Sequence, residues 1–362
     1  MGASTHRVIQ WATGNTGQRA LREVIRDPAL DLVGVLVYDS AKDGVDAGEL
    51  CGESATGILA TTDREKVLAL DAECCVYMPR ATGSGQTRAG LSEQELVDDV
   101  VALLQSGTSI VTTCTDLFAK GTRLTDEHRA RVLAVCAQGD AAVWASGSDP
   151  GFITETLLLA LLSVQRRVDL IEIEEFGDLS RRPSRHMVID QMRFGKPLGE
   201  FDPDRRKNHL FGEYQAALTV LADIAGLTID EWTAEGGVAA AKEDLHIAAG
   251  EIQAGTAAAQ RIIINERSCG TDRIRFIQYG FVTMDTEPDW GLRPTGWRVR
   301  VYGDAPLDLS MPFPVPLEQL ASVVPVQRQR IGQCHPIRVR LPARHPHHRG
   351  AAAYSCSRPT QS

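Results

Sequence analysis

At 362 residues the chain exceeds the usual size of one domain, and two domains are the natural expectation. Hydrophobic content of 43%, charged content of 23%, low aromatic content and 32 glycines describe a globular α/β enzyme. A formal net charge of −9 makes nucleic acid a poor partner, and no apolar run approaches the roughly 18 residues that a membrane helix needs.

The amino-terminal stretch lacks the long apolar core of a secretion signal and runs straight into a first strand. That strand, Val8 to Trp11, meets the turn Ala12-Thr13-Gly14-Asn15-Thr16-Gly17, which opens into a helix with Ala20, Leu21, Val24 and Ile25 on one face. Strand, glycine turn and helix form the grammar of a dinucleotide site. Backbone N–H groups must reach a pyrophosphate, and the helix N-terminus must aim its partial positive charge at it. The pattern is imperfect, since Ala12 stands at the first glycine of G-x-G-x-x-G, followed by Gly14 and Gly17. A second apolar run, Leu32 to Tyr38, ends in Asp39, about twenty residues beyond the last glycine. A carboxylate there suits a ribose diol and NAD, while Ser40 and Lys42 just after it suit a 2′-phosphate and NADP. Both coenzymes stay open on these residues.

A polar, glycine-rich loop from Asp39 to Gly52 and a short helical stretch, Asp63 to Leu70, lead into a third strand, Cys74 to Met78. Pro79, Arg80, Ala81 and Thr82 follow it. Ligands of open α/β sheets sit beyond the carboxyl ends of strands, so this loop is a candidate wall for the nicotinamide. An amphipathic helix with Leu96, Val97, Val100 and Leu104 inward, a strand at Ser109 to Thr113, a helix at Asp126 to Gln138 and a strand at Ala141 to Ala145 complete the alternation. This predicts a Rossmann-type, doubly wound parallel sheet over residues 1–150. The opposite wall of the site is expected at Asp149, Pro150 and Gly151.

Residues 151–305 read differently: a helix from Ile153 to Leu162, a strand around Leu170 to Glu174, an apolar helical stretch from Ala216 to Ile224, and strands at 257–264, 273–281 and 296–302. They predict an α+β substrate and dimerisation domain with a mixed or antiparallel sheet, one face of it open to another subunit. Residues 306–326, rich in proline, read as a connector. Residues 327–362 hold seven arginines and no acid and read as a disordered basic tail, or as the product of a frame slip near residue 326. Within it, His345, His347 and His348 are a weak metal candidate; no metal site is expected. Eight scattered cysteines without a C-x-x-C pair point to free thiols and a cytoplasmic location.

Several stretches resemble one family: VIQWATGNTG at 8–17, DAGELC at 46–51, YMPRAT at 77–82, GSDPGF at 147–152, EEFGDLS at 174–180, TGWRVRVYGD at 295–304 and FPVPLE at 313–318. It is the dihydrodipicolinate-reductase-like group of NAD(P)H-dependent amine dehydrogenases, which includes 2,4-diaminopentanoate dehydrogenase. The resemblance implies a homodimer and reversible reduction of a small ketone or imine by nicotinamide hydride, with amine as product or substrate. It also implies a carboxylate soon after the fourth strand that holds ammonia or an amine. Here that stretch reads Cys114-Thr115-Asp116-Leu117-Phe118, so Asp116 takes the role, one methylene shorter than the family's usual Glu. The shorter arm makes a second reading worth stating: a dinucleotide-binding protein without efficient turnover. Arg181 to His186 lacks the His-His and Lys motif of true dihydrodipicolinate reductases, which argues against lysine biosynthesis. Glu174, Glu175 and Asp178 are further candidates for the substrate cleft.

Overall fold

The computed structural model describes residues 5–80, 90–118, 124–138 and 141–314, without the side chains of 116, 205, 206, 209 and 213. The expectations for Ala81, Thr82, residues 315–326 and the basic tail lie outside these residues.

The first half alternates strictly. β1 (His6–Trp11), α1 (Asn15–Arg26), β2 (Leu30–Leu36), α2 (Ala47–Cys51), α3 (Arg64–Leu68), β3 (Cys74–Tyr77), α4 (Glu93–Gln105), β4 (Ser109–Thr112), α5 (Thr115–Phe118), α6 (Asp126–Gln138) and β5 (Val143–Ala145) follow in order. All five strands run parallel in the order β2-β1-β3-β4-β5. The chain winds outward in both directions from the β1–β3 boundary, and a crevice at the carboxyl ends of those two strands is where such sheets bind ligands. Apolar runs explain the burial: Val8, Ile9 and Trp11 are fully buried, as are Ala20, Leu21 and Val24 of α1. α4 starts where Ser92 and Glu95 cap each other reciprocally, Glu95 accepting from the Ser92 amide at 2.8 Å. The loop after Asp39 departs from the expectation in holding α2, whose start is fixed by Asp46 accepting from the amides of Gly48, Thr56 and Gly57.

After β5 the helix expected from Ile153 begins as π-helical turns over Phe152–Thr156 and becomes α7 (Leu157–Leu162). β6 (Val168–Asp178), α8 (Pro203–Ala225), β7 (Glu231–Ala241), β8 (Leu245–Ile247), β9 (Gly250–Ile252), β10 (Ala257–Ser268), β11 (Thr271–Phe281), β12 (Thr286–Glu287), β13 (Gly296–Gly303) and β14 (Leu307–Pro312) follow. Seven of these strands form a mixed sheet in the order β12-β7-β10-β11-β6-β13-β14, antiparallel except where β11 meets β6. β8 and β9 pair as a separate hairpin. The parallel five-stranded sheet and the mixed second sheet match the α/β and α+β architecture expected.

Besides α2, the strands β7, β8, β9, β12 and β14 differ from the expectation, and two of them show why. β7 has no counterpart in it, because the Gly and Ala residues of EWTAEGGVAAA carry little strand signal. β14 occupies residues expected to open the connector; Leu307, Leu309 and Met311 alternate and pair with β13. Of the cysteines, Cys51, Cys74, Cys75, Cys114 and Cys136 are free, whereas Cys269, in the exposed turn between β10 and β11, is disulfide-bonded, against the expectation of free thiols.

α8 and α7 cover one face of the mixed sheet through Ile171, Ile173, Ile262, Ile264, Ile274, Phe276, Val299 and Val301. On the opposite face Glu172 and Glu174 are buried among Arg275, Arg298 and Arg300, with Arg300 bound to both carboxylates. Burial pushes the Glu174 carboxyl up despite Arg300.

Candidate active site

β1 delivers the chain to the switch point, where three features shape the turn. Ala12 has φ of +72°, a left-handed conformation that costs an L-residue about 1 kcal/mol and explains why glycine suits this position. Gln10, fully buried in β1, donates its side-chain amide to the Ala12 carbonyl at 2.9 Å and holds the turn from beneath. A Cβ on Gly17 would lie 2.2 Å from that same carbonyl oxygen, so only glycine lets α1 approach the turn this closely. At Gly14 a Cβ would meet nothing within 4 Å.

Gly14 is the N-cap of α1, with no side-chain cap and no acid in the first turn. The twelve-residue helix thus presents its first N–H groups, Asn15 and Thr16 among them, toward open space beside Gly14. This arrangement fits a diphosphate: donors, dipole and clearance coincide. Asp39 is exposed beyond β2 and accepts from the Ala41 amide at 3.0 Å, opening the short 3-10 turn Ser40–Lys42. Lys42 reaches back to the phosphate turn, donating to the Thr13 carbonyl at 2.7 Å and to the Thr13 hydroxyl at 3.2 Å.

Sequence reasoning missed a knot beneath these loops. The Trp11 indole donates to the Tyr38 hydroxyl at 2.8 Å, and Tyr38 donates to Asp99 of α4 at 2.9 Å. Tyr77 reaches the same carboxylate oxygen at 3.3 Å, and Arg64 donates to the other at 2.8 Å. Burial, then the Asp99 charge, pushes both phenols far above the ordinary tyrosine range, so they remain donors. The only local hint was an acid on the inward face of an amphipathic helix.

On the far side of the switch point, Pro79 is buried after β3 and its carbonyl accepts from the Cys114 thiol at 3.3 Å. Arg80 is half-buried, and its carbonyl accepts from Leu91. Cys114 is buried in the core, in keeping with a packing role. Asp116 lies in α5, which packs against α8 of the second half. The Asp149–Pro150 peptide is cis, and Gly151, at φ of +133°, has the Gly147 backbone where a Cβ would go. The Gly151 amide donates to the Thr154 hydroxyl at 2.9 Å, and Phe152 lies 6.2 Å from Trp297 of β13, centroid to centroid. The loop after β5 therefore touches the second sheet.

The three acids after residue 173 separate. Strand alternation turns Glu174 to the arginine-covered face and Glu175 to the α8 face, while Asp178 accepts from the Ser180 amide in a turn. Phe194 is fully buried, and Met192 packs beside it, as core positions. Among the described residues no group of three or more His, Cys, Asp or Glu could hold a metal, and no helix is long and apolar enough to cross a membrane.

No family model matches the chain. A Streptomyces virginiae protein named amine dehydrogenase is 30% identical over 292 residues, spanning 80% of this chain and 78% of that protein. The solved amine dehydrogenase of Mycobacterium smegmatis has a TM-score of 0.64 at 17% identity and covers 91% of each chain. Scyllo-inositol dehydrogenase from Lactobacillus casei, solved with NAD(H) and scyllo-inositol, has a TM-score of 0.50 at 11% identity, covering 84% of this chain and 76% of the other. These two structures share the fold. The chain belongs to the amine dehydrogenase family and is a nicotinamide-dependent oxidoreductase.

Proposed function

We propose that the protein catalyses reductive amination, or its reverse, on a small ketone, imine or amine. The observation that carries the reading is the bare N-terminus of α1, with clearance at Gly14 and contact at Gly17. In this reading Ala12, Thr13, Gly14, Asn15, Thr16 and Gly17 hold the diphosphate. Asp39 takes the ribose diol, with Ser40 and Lys42 beside it. Lys42, spanning from the ribose loop to Thr13, ties the two halves of the coenzyme site together. Pro79, Arg80, Ala81 and Thr82 flank one side of the nicotinamide, and Asp149, Pro150 and Gly151 the other. When bound, the nicotinamide supplies or accepts hydride at C4. Asp116, carried on α5 against α8, holds the ammonium and moves its proton. The dihydrodipicolinate-reductase-like grouping rests on the quoted motifs.

The same reading divides the chain into a coenzyme domain, 1–150, and a substrate domain, 151–305. It makes the protein a homodimer through the helix-free face of the mixed sheet, where arginines and glutamates already neutralise one another. Among the described residues the free thiols of Cys51, Cys74, Cys75, Cys114 and Cys136 favour a cytoplasmic location, and the bonded Cys269 counts against it.

The test is spectrophotometric. Reduced coenzyme is mixed with a ketone panel, with and without ammonia, using NADH and NADPH in parallel. Ammonia-dependent oxidation is expected, and Asp116→Ala should abolish it. The second reading, coenzyme binding without efficient turnover, is favoured by the short arm of Asp116 and predicts thermal stabilisation by coenzyme with no oxidation on any ketone.

A further inference from the structure

We propose that Gln10 is a positioning residue that makes up for the missing first glycine of the turn. By gripping the Ala12 carbonyl from beneath, it holds the left-handed backbone and aims the Thr13 N–H at the diphosphate. The inference rests on the reading above and names the side chain on which its phosphate turn depends.

Gln10 is an unusual residue for its place. It stands in β1 between Val35 of β2 and Val76 of β3, and it is fully buried. Val8, two residues earlier on the same face of the strand, packs with Ala20 and Val24 of α1. The Gln10 carboxamide oxygen has no hydrogen-bond partner among the described residues. A leucine or methionine there would spare the core that unsatisfied acceptor. What offsets it is the other end of the amide, which donates to the Ala12 carbonyl at 2.9 Å.

That carbonyl is the pivot of the turn. Ala12 sits at φ of +72°, where alanine is strained and glycine is not. Its own amide donates to the Leu36 carbonyl at 2.9 Å, so the strained residue is tied on both sides. A trans peptide sets its C=O and N–H antiparallel. The Ala12 carbonyl faces Gln10 and the first turn of α1, where a Gly17 Cβ would lie 2.2 Å from it. The Thr13 N–H therefore points the opposite way. Thr13 is 4% exposed, and among the described residues no group accepts from that amide. A buried donor in want of an acceptor suits a phosphate oxygen, and it stands next to the uncapped start of α1.

Without the Gln10 amide the Ala12 carbonyl loses its partner and the strained φ loses its support. The peptide is then free to rotate, and the Thr13 N–H leaves the diphosphate. A glycine at position 12 takes the same φ without help, so there the grip matters less. Positions 10 and 12 are coupled for this reason, and the coupling separates aiming from packing.

The experiment is a double-mutant cycle on the full chain, read by calorimetric titration with NADH and with NADPH. Gln10→Met keeps the volume and removes the donor. It should raise Kd for both coenzymes about tenfold, or about 1.4 kcal/mol. In the Ala12→Gly background the same exchange should raise Kd by no more than about threefold, because glycine rescues the turn. Gln10→Asn, whose amide is one methylene too short to reach, serves in the same cycle if Gln10→Met folds poorly, and the same pattern is expected. A wild-type Kd in the Gln10 variants overturns the inference. So does an equal rise in both backgrounds, which marks Gln10 as a packing residue that glycine cannot rescue. Failure of the unaltered protein to bind either coenzyme would instead sink the parent reading, and the first titration shows it before any variant is compared.

Discussion

Adding one methyl group at each of the two turn glycines separates packing from binding. At Gly17 the new Cβ, fixed rigidly to the backbone, would sit 2.2 Å from the Ala12 carbonyl oxygen, a backbone atom, about 1 Å inside ordinary contact. α1 must therefore retreat from the turn by about that distance. Overpacking of this kind costs about 1–3 kcal/mol of stability. A 1 Å displacement of the positioned N–H groups should weaken coenzyme binding by up to about a hundredfold, or about 2.7 kcal/mol.

At Gly14 the backbone, φ of −70° and ψ of −173°, already suits alanine, and nothing lies within 4 Å of the new methyl. Alanine is the poorer N-cap by about 1 kcal/mol, offset by about 0.4–1 kcal/mol from a stiffer unfolded chain. Tm should stay within about 2 °C of wild type. The methyl nevertheless enters the space assigned to the diphosphate, so coenzyme affinity should fall about tenfold or more. Scanning calorimetry and NADH titration read the two quantities independently. A Gly17→Ala protein with wild-type affinity, or a Gly14→Ala protein that binds normally, would refute the diphosphate assignment.

Three other perturbations follow from the geometry. Arg300→Met removes the cation shared by two buried carboxylates and leaves Glu172 with Arg275 and Glu174 with Arg298, so it should cost about 1.5–3 kcal/mol in denaturant unfolding, whereas an exposed ion pair such as Arg166 with Asp304 would lose less on side-chain removal. Asp304 accepts from the amides of Arg166 and Arg167 and from the Arg166 side chain; these bonds hold its carboxyl down at about 2. A depressed acid stabilises the fold above its unfolded value, and that advantage is lost as pH falls through the folded value. Wild type should thus outlast Asp304→Asn in thermal melts above about pH 4, with the gap closing by about pH 2. Lys42→Ala removes the tie from the ribose loop to Thr13 and should raise Kd for NADH and NADPH alike, while a loss confined to NADPH would show that Lys42 serves the 2′-phosphate instead.

The parallel sheet was legible because its strands are short apolar runs between turn signals, and the buried run Val8 to Trp11 of β1 and all of β3 read the same from sequence as in space. The glycine turn was legible as spacing, but not the left-handed backbone at Ala12, since a dihedral angle leaves no mark on composition. β7 escaped because small residues alternate weakly, and its place comes from partners at Glu231 to Ala241 opposite β10. β14 escaped because the prolines near it outweighed three alternating apolar residues. Adjacent Glu174 and Glu175 looked alike in sequence; the two-residue period of a strand sends them to opposite faces with unlike neighbours. Glu175, Tyr214 and Gln278 come from three elements, so no local window contains their meeting.

The carboxylate of Asp99 joins four segments of chain through Trp11, Tyr38, Arg64 and Tyr77. Positions 11, 38, 64, 77 and 99 should therefore be inherited as a block. A descendant that exchanges Tyr38 for phenylalanine leaves the Trp11 indole without its acceptor and takes one donor from Asp99, which keeps Arg64 and Tyr77, and selection would favour a matching exchange at 11 before tolerating it. Grafting the loop around Asp39 from a relative with different coenzyme taste would succeed only if the graft brings along its own counterpart to that helix-borne acid.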